Sequence, residues 1–175
     1  SEMCIRDRHE AKPVQVFSEA TASIMTDMMR SVIDEQKTSS FKSVISGLDW
    51  NLGNADWVGK TGSTNNWSDS WLVVSTPSIT ISSWSGRDDN KGTDSAAGTR
   101  TANYMAYLIN RIYQTNQEVF GVNQKFELSS DVKKAQVSKF TGTQPGGTVR
   151  VDNRTYTNPS STVTSYWATG CLLYT

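Results

Sequence analysis

Residues 57–84, WVGKTGSTNNWSDSWLVVSTPSITISSW, constrain the fold most. Three short runs rich in β-branched and aromatic residues, at 57–62, 71–75 and 79–84, are divided by polar turn segments. That pattern reads as three strands. Thr76-Pro77-Ser78 joins the last two and puts Pro77 in a turn, where its missing N–H does least harm. Strands this close in sequence pair antiparallel, so the stretch predicts a three-stranded meander.

Helical periodicity flanks it. Met25, Met28, Met29, Val32 and Ile33 fall at i, i+3, i+4, i+7 and i+8 and predict one buried stripe, with the methionines as core filling. Ser18 is the expected N-cap, and Glu19 suits the positive helix end. A second helix is expected over 99–114 with the stripe Tyr104, Met105, Leu108, Ile109 and Ile112. Between the first helix and the meander, residues 37–56 read as a connector with turn residues Gly47, Gly53 and Asn54. Helix, meander and helix make an α+β unit, with an antiparallel sheet flanked by helices. Beyond Gly121 the chain turns rich in Thr and Ser, which predicts a small β appendage of two or three strands with a hairpin around Pro145-Gly146-Gly147.

The chain has 175 residues, enough for one ordinary domain. Seventeen basic and seventeen acidic residues cancel, so no basic face points to nucleic acid. No stretch is long and apolar enough to cross a bilayer. Both ends, SEMCIRDR and CLLYT, resemble translated sequencing-adapter read-through, and residues 1–8 and 171–175 are set aside on that ground. Cys4 and Cys171 fall inside these ends, so cysteine usage says nothing of redox compartment and no functional disulfide is expected. The expected division of the remainder is 9–120 and a β-rich appendage over 121–170.

Lys60-Thr61-Gly62 closes the first strand, and its context is specific. VFSEATASIMTDMMRSVI, then WVGKTGST, then DSWLVVSTPSITISSWSGRDDN, then a helix resembles the C-terminal part of the transpeptidase domain of class A penicillin-binding proteins. The likeness runs over about residues 14–121 and is strongest to bifunctional peptidoglycan synthases of Gram-positive bacteria, of the 1b type. It implies a penicillin-binding, β-lactamase-like fold. The implied activity is that of a serine D,D-transpeptidase, which cross-links peptidoglycan stem peptides ending in D-Ala-D-Ala through an acyl-enzyme and is blocked by β-lactams. It implies no cofactor and no metal. The parent protein would be membrane-anchored at the extracytoplasmic face of the cell membrane and would carry a glycosyltransferase as well.

By the same resemblance, Lys60, Thr61, Gly62, Ser63 and Thr64 bind substrate, and the backbone N–H of Ser63 is an oxyanion-hole donor. The residue chemistry fits. Lys60 offers positive charge to a terminal carboxylate, Thr61 and Ser63 offer hydroxyls, and Gly62 leaves room for a peptide backbone. The family's Ser-x-x-Lys nucleophile and Ser-x-Asn motif precede Lys-Thr-Gly, and that region is expected to be missing, so the chain by itself is expected to be inactive. Letter matches at Ser39–Lys42, Ser130–Lys133 and Ser63–Asn65 read as accidents, because each lies in the wrong context for its role. His9, the one histidine, lies beside the N-terminal scar and supplies no Ser-His-Asp base.

Other features have plainer readings. Asp69 reads as a turn acceptor, Trp57, Trp71 and Trp84 as core and sheet-face packing, and Asp88-Asp89-Asn90 as a solvated loop without calcium-loop spacing. Two rivals remain. One is a serine β-lactamase relative, which shares the Lys-Thr-Gly strand. The other is a non-enzymatic cell-surface or glycan-binding module using Tyr156, Tyr166 and Trp167.

Overall fold

The structure, a computed structural model, describes residues 12, 14–34, 40–143, 145–157 and 160–170. Cys4, His9, Ser39 and Cys171 lie outside the described residues. Helix α1 spans Glu19–Asp34. The Ser18 hydroxyl caps it by accepting the Thr21 N–H at 3.1 Å. The expected buried stripe is only partly realised. Ile33 is buried and Met29 and Val32 are half-buried, whereas Met25 and Met28 are 52% and 58% exposed and fill no core. The helix meets strand β1 along one side and touches its other neighbours lightly, so half of its apolar stripe has nothing to pack on.

Residues 41–54 are not a connector. They form two helices, α2 (Phe41–Leu48) and α3 (Trp50–Asn54). Phe41, Val44, Ile45 and Leu48 fall at i, i+3, i+4 and i+7, a helical stripe that the glycines obscured. Asp49 divides the two helices. Its N–H closes α2 on the Ile45 carbonyl at 3.1 Å, and its carboxylate caps α3 by accepting the Leu52 N–H at 3.0 Å.

The meander forms as expected, with strand ends shifted by a residue or two: β1 (Val58–Ser63), β2 (Asp69–Ser75) and β3 (Thr80–Gly86), in the order β1-β2-β3. Both pairings are antiparallel. Helix α4 (Ala97–Tyr113) covers one face of the sheet. It buries Met105 and Ile109 of the expected stripe together with Ala97, Thr101, Ala102, Ala106 and Tyr113. Tyr104 is 58% exposed, and Leu108 and Ile112 also face outward. Small side chains on the buried face let the helix sit close to the strands.

The core lies between α4, α2 and the inner sheet face. It joins Leu72 and Val74 to Met105 and Ile109 and to Phe41 and Ile45. Trp57 is fully buried at its centre, edge-on to Phe41 with ring centroids 5.2 Å apart, and its indole N–H donates to the Leu52 carbonyl at 2.7 Å.

Gly121 turns the chain out of this unit in a left-handed conformation (φ +50), where a Cβ would collide with the Ser78 hydroxyl. The segment that follows runs back past α3 and α1: Lys125 donates to the Asn54 carbonyl at 3.1 Å and the Ser129 N–H to the Ser23 hydroxyl at 2.9 Å. The appendage holds β4 (Val132–Ser138), β5 (Thr148–Val151), β6 (Arg154–Thr157) and β7 (Thr162–Ala168), with β4 paired to β7 and β5 to β6. The tight hairpin is not at Pro145–Gly147, which lies in the link between the two sheets. It is at Asp152-Asn153, whose φ values of 48° and 62° suit the turn that matches strand twist.

Candidate functional site

Strand β1 is an edge strand, paired to β2 on one side only among the described residues. Burial falls along it: Val58 and Gly59 are buried, Thr61 and Gly62 are half-exposed, and Lys60 and Ser63 are exposed. The structure therefore brings the five expected residues, Lys60 to Thr64, together at the open half of this edge.

One hydrogen bond sets the direction of every main-chain group on it. The Thr64 N–H donates to the Asp69 carbonyl at 3.2 Å, one step past the Ser63–Ser70 pair. Bonded and non-bonded pairs alternate along an antiparallel ladder. The amides and carbonyls of Lys60 and Gly62 thus face β2, while those of Thr61 and Ser63 face away from it, toward the open edge. Side chains alternate the other way. Lys60 shares the outer face with Val73, its register partner, and Thr61 and Ser63 share the inner face with Leu72 and Ser70. The Lys60 ammonium curls back to donate to the Thr61 carbonyl at 3.0 Å. It therefore sits at the edge on an outward-facing acceptor, with no carboxylate partner among the described residues.

The hairpin after the motif is rigidly braced. Thr64 and Asp69 exchange side-chain bonds: the Thr64 hydroxyl donates to the Asp69 carboxylate at 3.0 Å and accepts the Asp69 N–H at 2.8 Å. The other oxygen of Asp69 accepts the Trp84 indole N–H at 2.9 Å. Asp69 is thus a turn acceptor, bonded throughout to its own hairpin. Trp71 and Trp84 are direct cross-strand partners with ring centroids 6.5 Å apart. They pack on the sheet face as expected but belong to no core, being 46% and 45% exposed. Gly62 lies opposite Trp71, and a Cβ there would come 3.3 Å from the Trp71 Cβ. Glycine keeps this end of the strand clear beside the indole.

A residue that sequence reasoning missed is Thr93. Its N–H and hydroxyl both donate to the Trp67 carbonyl, at 3.1 and 2.8 Å. They pin a turn in which Asn66 and Trp67 are left-handed, with φ of 59° and 58°. No local pattern signals a bond between residues this far apart in the chain.

The second bracing point lies where β1 begins. Asp56, 8% exposed, accepts from the Arg30 guanidinium through both oxygens, at 2.8 and 3.0 Å, and accepts the Phe126 N–H at 2.9 Å. Arg30 also donates to Asp27 at 2.8 Å. Burial pushes the Asp56 carboxyl up, but the Arg30 and Phe126 hydrogen bonds more than offset it and hold it below its ordinary value. This clasp ties α1, the first residues of the motif strand and the start of the appendage to one carboxylate.

Lys42 and Ser130, from two of the chance motif matches, stay apart from this edge. Lys42 lies in the first turn of α2 and pairs with Asp34 at 3.0 Å. Helix α2 packs against α4, on the inner side of the sheet, whereas Lys60 faces the outer side. Ser130 lies in a turn just before β4, in the appendage. Ser63, Thr64 and Asn65 end β1 and start the turn. Asp89 is held by Arg87 and Lys91 in an exposed loop. Among the described residues, no group of three His, Cys, Asp or Glu side chains is placed to hold a metal ion, and no helix is long and apolar enough to cross a membrane. The three tail aromatics make no common platform. Tyr166 and Trp167 are successive residues of β7 and so face opposite ways, and Tyr156 sits on the other hairpin.

This arrangement of antiparallel sheet and flanking helices matches a penicillin-binding-protein transpeptidase-like fold. The crystal structure of penicillin-binding protein 1A from Haemophilus influenzae is similar, with a TM-score of 0.57 and 17% sequence identity over 91% of this chain. The chain spans 22% of that protein's length. No family model and no curated protein matches the sequence.

Proposed function

We propose that this chain is part of a serine D,D-transpeptidase that cross-links peptidoglycan stem peptides, and that it forms the Lys-Thr-Gly wall of the substrate cleft. The observation that carries the proposal is the open edge of β1, where the Ser63 N–H faces outward beside Lys60. In this reading a D-Ala-D-Ala end lies along the edge as an added strand. Lys60 leaves the Thr61 carbonyl and meets the terminal carboxylate, with Thr61 and Ser63 supplying hydroxyls and Gly62 giving room. The Ser63 N–H donates to the carbonyl oxygen as negative charge develops on it. One such donor contributes about 10²–10³ in rate. In this reading the acylated serine and the Ser-x-Asn motif come from sequence outside these 175 residues. β-Lactams occupy the same edge in place of the dipeptide.

The same proposal takes the parent to be a bifunctional synthase of the Gram-positive 1b type, anchored at the outer face of the cell membrane. Its support is the sequence likeness around Lys60; the fold supports the transpeptidase-like unit alone. A serine β-lactamase relative would use the same edge, but no acid or base for deacylation can be assigned beside it among the described residues. Reading the source DNA upstream of this coding stretch is the deciding experiment. An in-frame Ser-x-x-Lys on an apolar helix, followed by Ser-x-Asn, is expected. A genuine start codon beside His9 would remove the transpeptidase reading and leave a binding module.

A further inference from the structure

A cleft of about 570 Å³ lies between α1 and the β4–β7 sheet, and none of residues 60–64 lines it. That volume falls within the roughly 300–1,000 Å³ of small-molecule sites. Its α1 wall carries Asp27, Met28 and Arg30, and its appendage wall carries Lys134, Thr164 and Tyr166.

The charges in it do not cancel. Arg30 has its donor fork filled by Asp56 and Asp27. Asp27 accepts that bond through Oδ1, which leaves Oδ2 as an acceptor. Lys134 has no ion-pair partner among the described residues, and its ammonium lies 5.9 Å from the centre of the Tyr166 ring. Thr164 accepts the Gln136 amide at 2.8 Å, so its hydroxyl proton remains to donate. Among the described residues, the cleft thus offers a positive charge without an ion pair, a carboxylate oxygen, hydroxyls that include Thr164, an aromatic ring and the exposed Met28 side chain.

We propose that this cleft binds a carbohydrate bearing one carboxylate. A pyranose has an apolar C–H face to set against Tyr166 and Met28. It also has hydroxyls that can both donate to Asp27 and accept from Thr164. A single carboxylate matches Lys134, the one cation lining the cleft without an ion pair among the described residues. A phosphate group fits less well, because the planar fork that binds phosphate best belongs to Arg30 and is already taken. The site stands independently of the transpeptidase reading, since none of its residues lies on the Lys60 edge.

The test titrates the isotope-labelled full chain with N-acetylmuramic acid and, separately, with N-acetylglucosamine, which lacks the lactyl carboxylate. Saturable amide shifts confined to 27–31, 134 and 164–166 are expected. The neutral sugar should bind about fivefold more weakly, the worth of one solvent-exposed charge contact. Lys134→Gln should bring the acid down to the neutral sugar's affinity while the rest of the spectrum stays native. Should that variant lose its native spectrum, Thr164→Val serves instead and is expected to weaken both sugars alike. Absence of saturable shifts, equal binding of both sugars, or inorganic phosphate saturating the same amides as tightly as the acid would each overturn the proposal.

Discussion

Asp69 stands five positions after Thr64, close to the motif in the chain, yet both of its carboxylate oxygens are committed to the hairpin. One accepts the Thr64 hydroxyl at 3.0 Å and the other the Trp84 indole N–H at 2.9 Å. Both bonds are partly exposed, so each is worth about 1 kcal/mol. Asp69→Ala should therefore lower stability by about 1–2 kcal/mol, read as a shifted midpoint in chemical denaturation. A change below about 0.5 kcal/mol, the size of a neutral surface substitution, would show that the hairpin does not depend on these bonds. Gly62 illustrates the same scale from the other side. Its lack of a side chain matters because Trp71 lies directly across from it.

At the scale of elements, the Asp56 clasp decides how β1 is presented. Its three bonds come from α1 and from the segment leading into the appendage, so one carboxylate holds three parts of the chain. The Asp56 carboxyl titrates below its unfolded value of about 3.9. Its contribution to stability is thus complete above about pH 4 and is lost as pH falls through the lower folded value. Asp56→Asn should cost about 2–3 kcal/mol at neutral pH, because Arg30 loses its main partner. The variant should also lose part of the fall in stability below about pH 4. Parallel acid-denaturation slopes for the two proteins would show that Asp56 is not the group responsible.

For the whole molecule, the arrangement around Lys60 supplies donors and positive charge without a paired nucleophile and base. Lys42 and Ser130 lie on elements that do not meet the β1 edge, and the described residues place no histidine there. The purified chain should therefore form no covalent adduct with a fluorescent penicillin. A stoichiometric adduct on any serine, located by peptide mass spectrometry, would overturn this. The exposed Met25 and Met28 add a consequence for handling, since apolar surface of this kind favours self-association.

The meander, the two long helices and the Lys-Thr-Gly strand are legible in the sequence, because strand alternation, helical spacing and turn residues are local properties. Ser18 as a cap and Asp69 as a turn acceptor are legible for the same reason. Helices α2 and α3 are obscured by Gly47 and Gly53, although Phe41, Val44, Ile45 and Leu48 carry the spacing. The buried face of α4 keeps Met105 and Ile109 of its hydrophobic stripe but adds Ala97, Thr101, Ala102 and Ala106, small side chains whose burial hydrophobicity alone does not reveal. Met25 and Met28 stay exposed because burial depends on what packs opposite, and α1 meets too little of the chain to cover them. The outward aim of the Ser63 N–H depends on ladder register, the Asp56 clasp on residues 26 and 70 positions apart, and the cleft beside Lys134 on how the appendage docks against α1. Local sequence determined which elements form; only the tertiary structure decided which of their faces meet, because contacts between distant residues are set by packing and not by any neighbouring pattern.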